Sequence, residues 1–176
     1  MCSAFIPPVI RTARLTLRMP TKADAPRVAQ LCADFDITRM TGRMPFPYGL
    51  ADAQAFVETV SGQDRTRDNT FLIEHEDDGV VGCVGLFTPG RLPEIGYWIG
   101  RPYWGRGLAT EATKAALDWA RDDWRKKVVL AGHFADNPAS GAVLCKTGFL
   151  YTGLVEMRES LARKAKAPTR MMVWLA

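Results

Sequence analysis

The sequence has few of the residues that build metal sites and disulfide frameworks. Its 176 residues include two histidines and four cysteines, and the cysteines are scattered with no Cys-x-x-Cys pair. The spacing matches no common zinc site. We therefore expect no metal, and we expect free thiols in a reducing compartment. The cysteines are Cys2, Cys32, Cys83 and Cys145.

Long apolar runs and a strong charge of one sign are also missing. No stretch approaches the ~20 apolar residues that cross a bilayer. Pro7-Pro8 interrupts the N-terminal apolar run, which no basic segment precedes, so it is not typical of a signal peptide. Lys and Arg number 23 against 19 Asp and Glu, a mild excess that does not predict direct nucleic-acid binding. We expect a cytoplasmic protein that contacts no membrane and forms a single domain over residues 1–176.

Hydrophobic periodicity and turn residues predict a mixed α+β (α/β) fold. Strands are predicted over 14–19, 70–74, 80–88, 94–99, 126–133, 149–155 and 170–175. Helices are predicted over 21–33, 51–61, 108–120 and from ADNPAS to KTGF, and LARKAKAP is predicted to be a basic connector. Short turns favour antiparallel pairing, and the central strand–helix–strand unit favours one parallel pair. The expected sheet has about six or seven strands, is mostly antiparallel and carries helices on both faces.

The most informative stretch is YWGRGLAT, where two glycines precede a predicted helix directly after a strand. Free N–H groups at a helix start bind anions, and small residues let the backbone approach one closely. Three other interpretations of this stretch are weighed, of which the second, a P-loop, fails. One is a nicotinamide site, although Thr110 stands where a third glycine would be and repeated βαβ units are missing. A P-loop lacks its Gly-Lys-Ser/Thr, and a tight turn without a ligand is the third.

A wider pattern resembles a known family. EIGYWIGRPYWGRGLATEA is followed after about forty residues by NPASGAVLCKTGF. Together these resemble the GNAT superfamily of N-acetyltransferases, and most of all its RimJ/RimL-like branch. The resemblance implies the GNAT fold with acetyl-CoA as co-substrate. The acceptor would be a primary amine on a protein N-terminus or a small molecule, and a homodimer is possible. Pro102 departs from the Gln or Arg that often begins the family's loop, so Arg101 or Arg106 would have to supply any side-chain contact.

The resemblance also implies where the cofactor lies. The pyrophosphate would bind N–H groups of residues 104–109, and the pantetheine arm would lie between the 96–99 strand and its partner at 128–133. The implied cofactor-binding residues are Tyr97, Trp98, Ile99, Trp104, Gly105, Arg106, Gly107, Leu108, Ala109, Thr110, Asn137 and Ser140.

Two carboxylates compete for the role of general base, which must deprotonate the amine. Glu94 begins the strand beside the cofactor, and Glu159 is expected past the penultimate strand. For each, the simpler interpretation is a solvated surface glutamate. Ser140 is the candidate donor to the leaving thiolate, because Leu144 occupies the position of the tyrosine acid that many GNAT enzymes carry.

Weaker candidates surround these residues. Phe46 and Tyr48 lie where relatives shape the acceptor site, or pack as turn aromatics. His133 is expected to be structural, and Cys145 a packed small residue. The cluster of Arg163, Lys164 and Lys166 would steer an acidic acceptor or form a solvated charged surface. At the level of the whole chain, the alternatives are a non-catalytic acyl-CoA-binding module and a nicotinamide-dependent oxidoreductase.

Overall fold

A computed structural model describes residues 8–176. Its strands are β1 Ile10–Arg11, β2 Leu15–Arg18, β3 Asn69–His75, β4 Gly79–Phe87, β5 Glu94–Ile99, β6 Val128–Phe134, β7 Leu150–Ser160 and β8 Ala165–Leu175. Its α-helices are α1 Ala25–Cys32, α2 Phe35–Thr38, α3 Leu50–Ser61, α4 Leu108–Asp122 and α5 Pro138–Lys146. In the described part of the chain, no helix has the length and apolar character needed to span a membrane.

The strands form one eight-stranded sheet in the order β1-β2-β3-β4-β5-β6-β8-β7. The β5–β6 pair is parallel, and the other neighbouring pairs are antiparallel. The mostly antiparallel sheet with a central β-α-β unit is thus confirmed. The sheet has one or two strands more than predicted. One of them is β1, whose two residues are too few to show any periodicity.

Helices cover both faces of the sheet, as predicted. Phe71 and Ile73 of β3 belong to the apolar cluster that contains residues of α4 and α5. Leu72, between them, belongs to the second cluster, formed with α1 and α3. Successive side chains of a strand point to opposite faces, so a continuous apolar run is what a doubly covered strand requires.

The last two strands are longer than predicted, and the prediction of a basic connector over LARKAKAP is wrong. Residues 165–168 are part of β8, and only residues 161–164 form the turn. The side chains of β7 are almost all exposed, so the strand shows no alternation of buried and exposed residues. Glu159 consequently lies inside β7, opposite Lys166, and not past a strand end.

Candidate active site

The two parallel strands of the sheet part after two residue pairs. Glu94 pairs with Leu130 and Ile95 with Ala131, and the register goes no further. The amide of Leu130 donates to the carbonyl of Pro93 at 2.8 Å. In a parallel ladder alternate residues point toward the partner strand. The first groups left without a strand partner are therefore the Tyr97 N–H and the Gly132 carbonyl. A gap opens here between β5 and β6, the strands expected to flank the pantetheine arm.

The glycine turn lies at the end of β5 and presents free amides. Gly105 and Gly107 have φ angles of 73° and 74°, a conformation that costs other residues about 1–2 kcal/mol. Within residues 8–176, the amides of 105–110 donate to no protein acceptor. The Trp104 amide differs from the expectation, because it donates to the Arg101 carbonyl at 3.2 Å. Within residues 8–176, the run of amides without a protein acceptor is therefore 105–110, and it leaves out residue 104 of the expected set.

The arginines of this turn are already engaged with carboxylates. Arg106 pairs with Asp78 at 2.8 Å, and Arg101 hydrogen-bonds to Asp34 and Asp36. A contact from Arg101 or Arg106 to an anion would therefore have to exchange with these carboxylates. The backbone amides of the turn need no such exchange.

Trp104 and Leu108 fix the turn against the rest of the fold. The Trp104 indole donates to the carbonyl of Ile99 at 2.6 Å, which ties the turn to the end of β5. Leu108, the first residue of α4, is 1% exposed and packs in the core below the turn. Of Leu108, only the backbone amide is therefore available to the expected anion site.

On the α5 side of the gap, the Tyr97 hydroxyl meets Ser140. The two oxygens are 2.9 Å apart, and the hydroxyl also donates to the Ser140 carbonyl at 3.0 Å. Asn137 begins α5 and accepts from the Ser140 amide at 3.2 Å. Burial raises the pKa of Tyr97 to about 12, and the hydrogen bond to Ser140 partly opposes the rise. Sequence reasoning placed Tyr97 at the cofactor but missed this pairing, since the two residues are 43 positions apart.

On the opposite face, Glu94 is 8% exposed and pairs with Arg158 of β7. Arg158 also holds Glu156 at 3.0 Å. Burial alone would lower the pKa of Arg158, but the hydrogen bonds and charges of Glu94 and Glu156 together outweigh burial, and the pKa is raised. Sequence reasoning missed Arg158, because β7 was predicted to end before it. The pair fixes the Glu94 carboxylate at the point where β5 and β6 part.

Glu159, the second candidate base, lies away from this point. It follows Arg158 in the strand and so points to the other face of β7. Its side chain is 64% exposed and lies 3.8 Å from Lys166. The structure therefore brings Glu94 to the gap and leaves Glu159 in solvent.

The remaining candidates have mostly structural contacts. Both ring nitrogens of His133 are bonded, one to the Phe134 carbonyl and the other to the Tyr151 hydroxyl, each at 2.9 Å. Tyr48 is buried. Cys145 is exposed, so its expected packing is wrong. Arg163 forms an ion pair with Asp136 at 2.8 Å.

Free amides beside two diverging strands define a class of site that can hold a phosphorylated acyl carrier along a strand edge. The family model described as Acetyltransferase (GNAT) domain matches residues 14–150. The chain belongs to this GNAT acetyltransferase family and is an N-acetyltransferase. This assignment decides against the nicotinamide-dependent alternative.

Individual relatives agree with this assignment. An uncharacterised N-acetyltransferase p20 of Bacillus licheniformis is 28% identical over 149 residues, or 82% of this chain and 83% of the relative. The ribosomal-protein-serine acetyltransferase of Escherichia coli is 29% identical over 94 residues, 52% of each chain. The structure of Mycobacterium smegmatis RimJ in complex with CoA-disulfide has a TM-score of 0.81 at 22% identity, covering 97% of this chain and 87% of that one. These similarities are consistent with the RimJ/RimL-like branch.

Proposed function

We propose that this protein moves an acetyl group from acetyl-CoA to a primary amine at the gap between β5 and β6. The acceptor is a protein N-terminus or a small-molecule amine. The observation that carries the proposal is that strand pairing stops after Ile95 and Ala131, next to a turn whose amides are free. This arrangement gives a diphosphate a place to bind and a pantetheine arm a channel to follow.

The amides of residues 105–110 suit the diphosphate of acetyl-CoA. Helix α4 adds the partial positive charge of its N-terminus. A Cβ on Gly105 would meet nothing within 4 Å, so the backbone there is open to a ligand. When bound, acetyl-CoA supplies the acetyl group as a thioester. The chain's task is then to orient that thioester and to handle one proton.

The Tyr97 amide is positioned to stabilise the acyl oxygen. Beyond the last β5–β6 pair, it is the first N–H of β5 that points toward β6, and so it points into the gap. A fixed donor aimed at developing negative charge contributes about 10²–10³-fold in rate in other enzymes. A backbone donor cannot be removed by a side-chain substitution, which explains why no side chain in the sequence marks this function.

Glu94 is the proposed general base. Its carboxylate is buried beside the gap and held by Arg158. It takes a proton from the acceptor ammonium, directly or through water, so that the neutral amine can attack. A positioned base contributes about 10²–10⁴-fold.

The hydroxyls of Ser140 and Tyr97 are the proposed donors to the departing sulfur. They lie on the α5 side of the gap and hydrogen-bond to each other. A thiol has a pKa near ~8.5, so the thiolate needs only a weak donor. The pair therefore replaces the tyrosine acid whose position Leu144 occupies.

The test is an acceptor screen that detects free thiol, run with wild type, Glu94→Gln and Glu159→Gln. We expect Glu94→Gln to lower kcat by about 10²-fold or more while acetyl-CoA binding, measured by calorimetry, persists. Glu159→Gln is the matched control and should behave as wild type. Unchanged rates in Glu94→Gln would reject it as the base. Bound CoA with no amine-dependent thiol release across the panel would instead identify a non-catalytic acyl-CoA-binding module.

Two further proposals rest on the family resemblance and the composition: a homodimer as the possible assembly, and a cytoplasmic location. Sedimentation velocity tests the first prediction, and a single monomer peak over the working concentration range would refute it.

A further inference from the structure

Two glycines lie where β5 and β6 part, Gly96 of β5 and Gly132 of β6, on the face that carries Glu94; we call this part of the sheet the floor. A Cβ on Gly132 would meet the Thr169 methyl group at 2.8 Å, the Met171 sulfur at 3.2 Å and the Arg158 nitrogen that binds Glu94 at 3.6 Å, so side chains of β7 and β8 cover this end of the floor. A Cβ on Gly96 would meet only Phe87, at 3.5 Å, so the other end is more open. If the proposed function holds, this floor is where the acceptor amine meets the thioester.

The segment after α2 contacts both the end of β7 and strand β4. At one end, the Gly42 carbonyl accepts from the Leu161 amide at 3.2 Å, just beyond β7. At the other end, the Arg43 guanidinium lies over the Phe87 ring of β4, 4.2 Å from its centroid. The same ring lies 3.5 Å from the place that a Cβ on Gly96 would occupy. The Phe87 ring therefore contacts both the Arg43 guanidinium and the Gly96 end of the floor.

Three other arginines near the floor are paired with carboxylates. Arg158 binds Glu94 and Glu156. The Asp136 carboxylate neutralises Arg163 at 2.8 Å and Arg39 at 3.5 Å.

Arg43 differs from these three arginines. Among residues 8–176 its guanidinium has no carboxylate partner and no hydrogen bond. A guanidinium stacked on a ring keeps its N–H groups free at the edges, in the fork that matches a carboxylate or phosphate.

We propose that Arg43 determines acceptor specificity by binding an anionic group carried on the same molecule as the reacting amine. The amine faces Glu94, and the carboxylate or phosphate faces Arg43. Acceptors with a second ammonium group, such as diamines, are disfavoured because they bring a like charge to Arg43. The anionic group can come from an acidic residue near a peptide N-terminus or from a small amino acid-like molecule.

The test measures kcat/KM for acceptors that differ only in charge. One arm uses the peptides Ser-Asp-Ala, Ser-Asn-Ala and Ser-Lys-Ala, and the other uses 4-aminobutyrate, its amide and 1,4-diaminobutane. We expect wild type to favour the anionic over the neutral acceptor by about fivefold, the value of one exposed ion pair, in whichever arm matches the natural acceptor. Arg43→Gln should abolish the preference and Arg43→Glu should invert it, with the KM for acetyl-CoA unchanged.

The matched control is Arg11→Gln. Arg11 is an exposed arginine of β1, at the far edge of the sheet, and it likewise has no carboxylate partner among residues 8–176. The control removes the same net charge and should leave the preference intact. An Arg43→Gln ratio equal to that of wild type, or a wild-type preference for the diamine, would overturn the inference alone. Absence of turnover with every acceptor would overturn the proposed function with it.

Discussion

At the residue scale, Gly105 and Gly107 link sequence to chemistry most directly. Two positive φ angles in three residues turn the chain from β5 into α4 and leave the amides between them pointing outward. Glycine adopts this conformation without the penalty that a Cβ brings. The sequence could therefore predict the anion site, because both the turn and the helix start are local features.

Gly107→Ala tests the need for glycine at this turn by adding a single methyl group. The added Cβ would make ordinary contact, 3.7 Å from Arg14, so the cost comes from the backbone conformation and should be about 1 kcal/mol of unfolding free energy. We also expect weaker acetyl-CoA binding, because the free amides shift. Urea unfolding and calorimetry measure the two effects. The control is Gly90→Ala, whose Cβ meets nothing within 4 Å; identical behaviour of the two variants would contradict the account.

Asp24 gives a pH-dependent prediction. It accepts two hydrogen bonds from Arg18 and two from Thr21, including the Thr21 amide at 2.7 Å. Burial alone would raise its pKa, but these bonds outweigh burial and lower it below 3.8. Because the folded-state pKa lies below the unfolded value, the stabilisation is complete above the unfolded pKa. It is lost as the pH falls through the folded pKa.

Asp24→Asn should therefore cost about 2 kcal/mol of unfolding free energy near neutral pH. The difference from wild type should shrink as the pH falls below the unfolded-state pKa of about 3.9 and on through the folded-state pKa. Urea titrations of the variant and wild type, at neutral pH and in acid, measure this difference in unfolding free energy. The exposed Asp77→Asn is the control, for which we expect a small change at either pH. A difference between Asp24→Asn and wild type that grows in acid would refute the assignment.

The pairings across long sequence separations could not be predicted. Glu94 was a candidate because it begins the strand expected beside the cofactor. Its partner Arg158 is 64 residues away. Such contacts depend on the register of β7 and β8, which no local pattern in an exposed strand specifies.

At the element scale, the parting of β5 and β6 creates the site. Strands β3 to β6 and helix α4 were predicted well, because buried strands and an amphipathic helix have strong periodic patterns. The hairpin β7–β8 was predicted poorly, since the sequence of an exposed strand with charged residues resembles that of a connector. The parting itself was expected only from the family resemblance.

Gly96→Ala tests the floor between these strands. Its Cβ would make ordinary contact with Phe87 at 3.5 Å, so the fold should persist. The methyl group narrows the floor, and we expect a higher acceptor KM with little change in acetyl-CoA affinity. Gly90→Ala is the control: Gly90 lies in the turn between β4 and β5, and its Cβ would meet nothing within 4 Å. Equal acceptor KM values for the two variants would contradict the placement of the acceptor.

At the scale of the whole molecule, two apolar clusters hold the sheet between α4 and α5 on one face and α1 and α3 on the other. The fold class followed from the order of elements, and the family from two motifs about forty residues apart. The acceptor could not be predicted from the sequence, because the proposed acceptor site combines the segment after α2 with β4, β5 and β7, which are remote in sequence.

Ligand binding should stabilise the whole fold. A ligand present at 100 times its Kd adds about 2.7 kcal/mol to the free energy of unfolding. We therefore expect acetyl-CoA and CoA to raise Tm in a thermal-shift assay. NAD(P) should not; stabilisation by NAD(P) alone would contradict the account.

The most direct test of the central claim is a crystal structure with bound acetyl-CoA. The account predicts the diphosphate within hydrogen-bond distance of the amides of residues 105–110 and the acyl oxygen at the Tyr97 N–H. A cofactor bound elsewhere, with those amides bonded to protein groups, would contradict it.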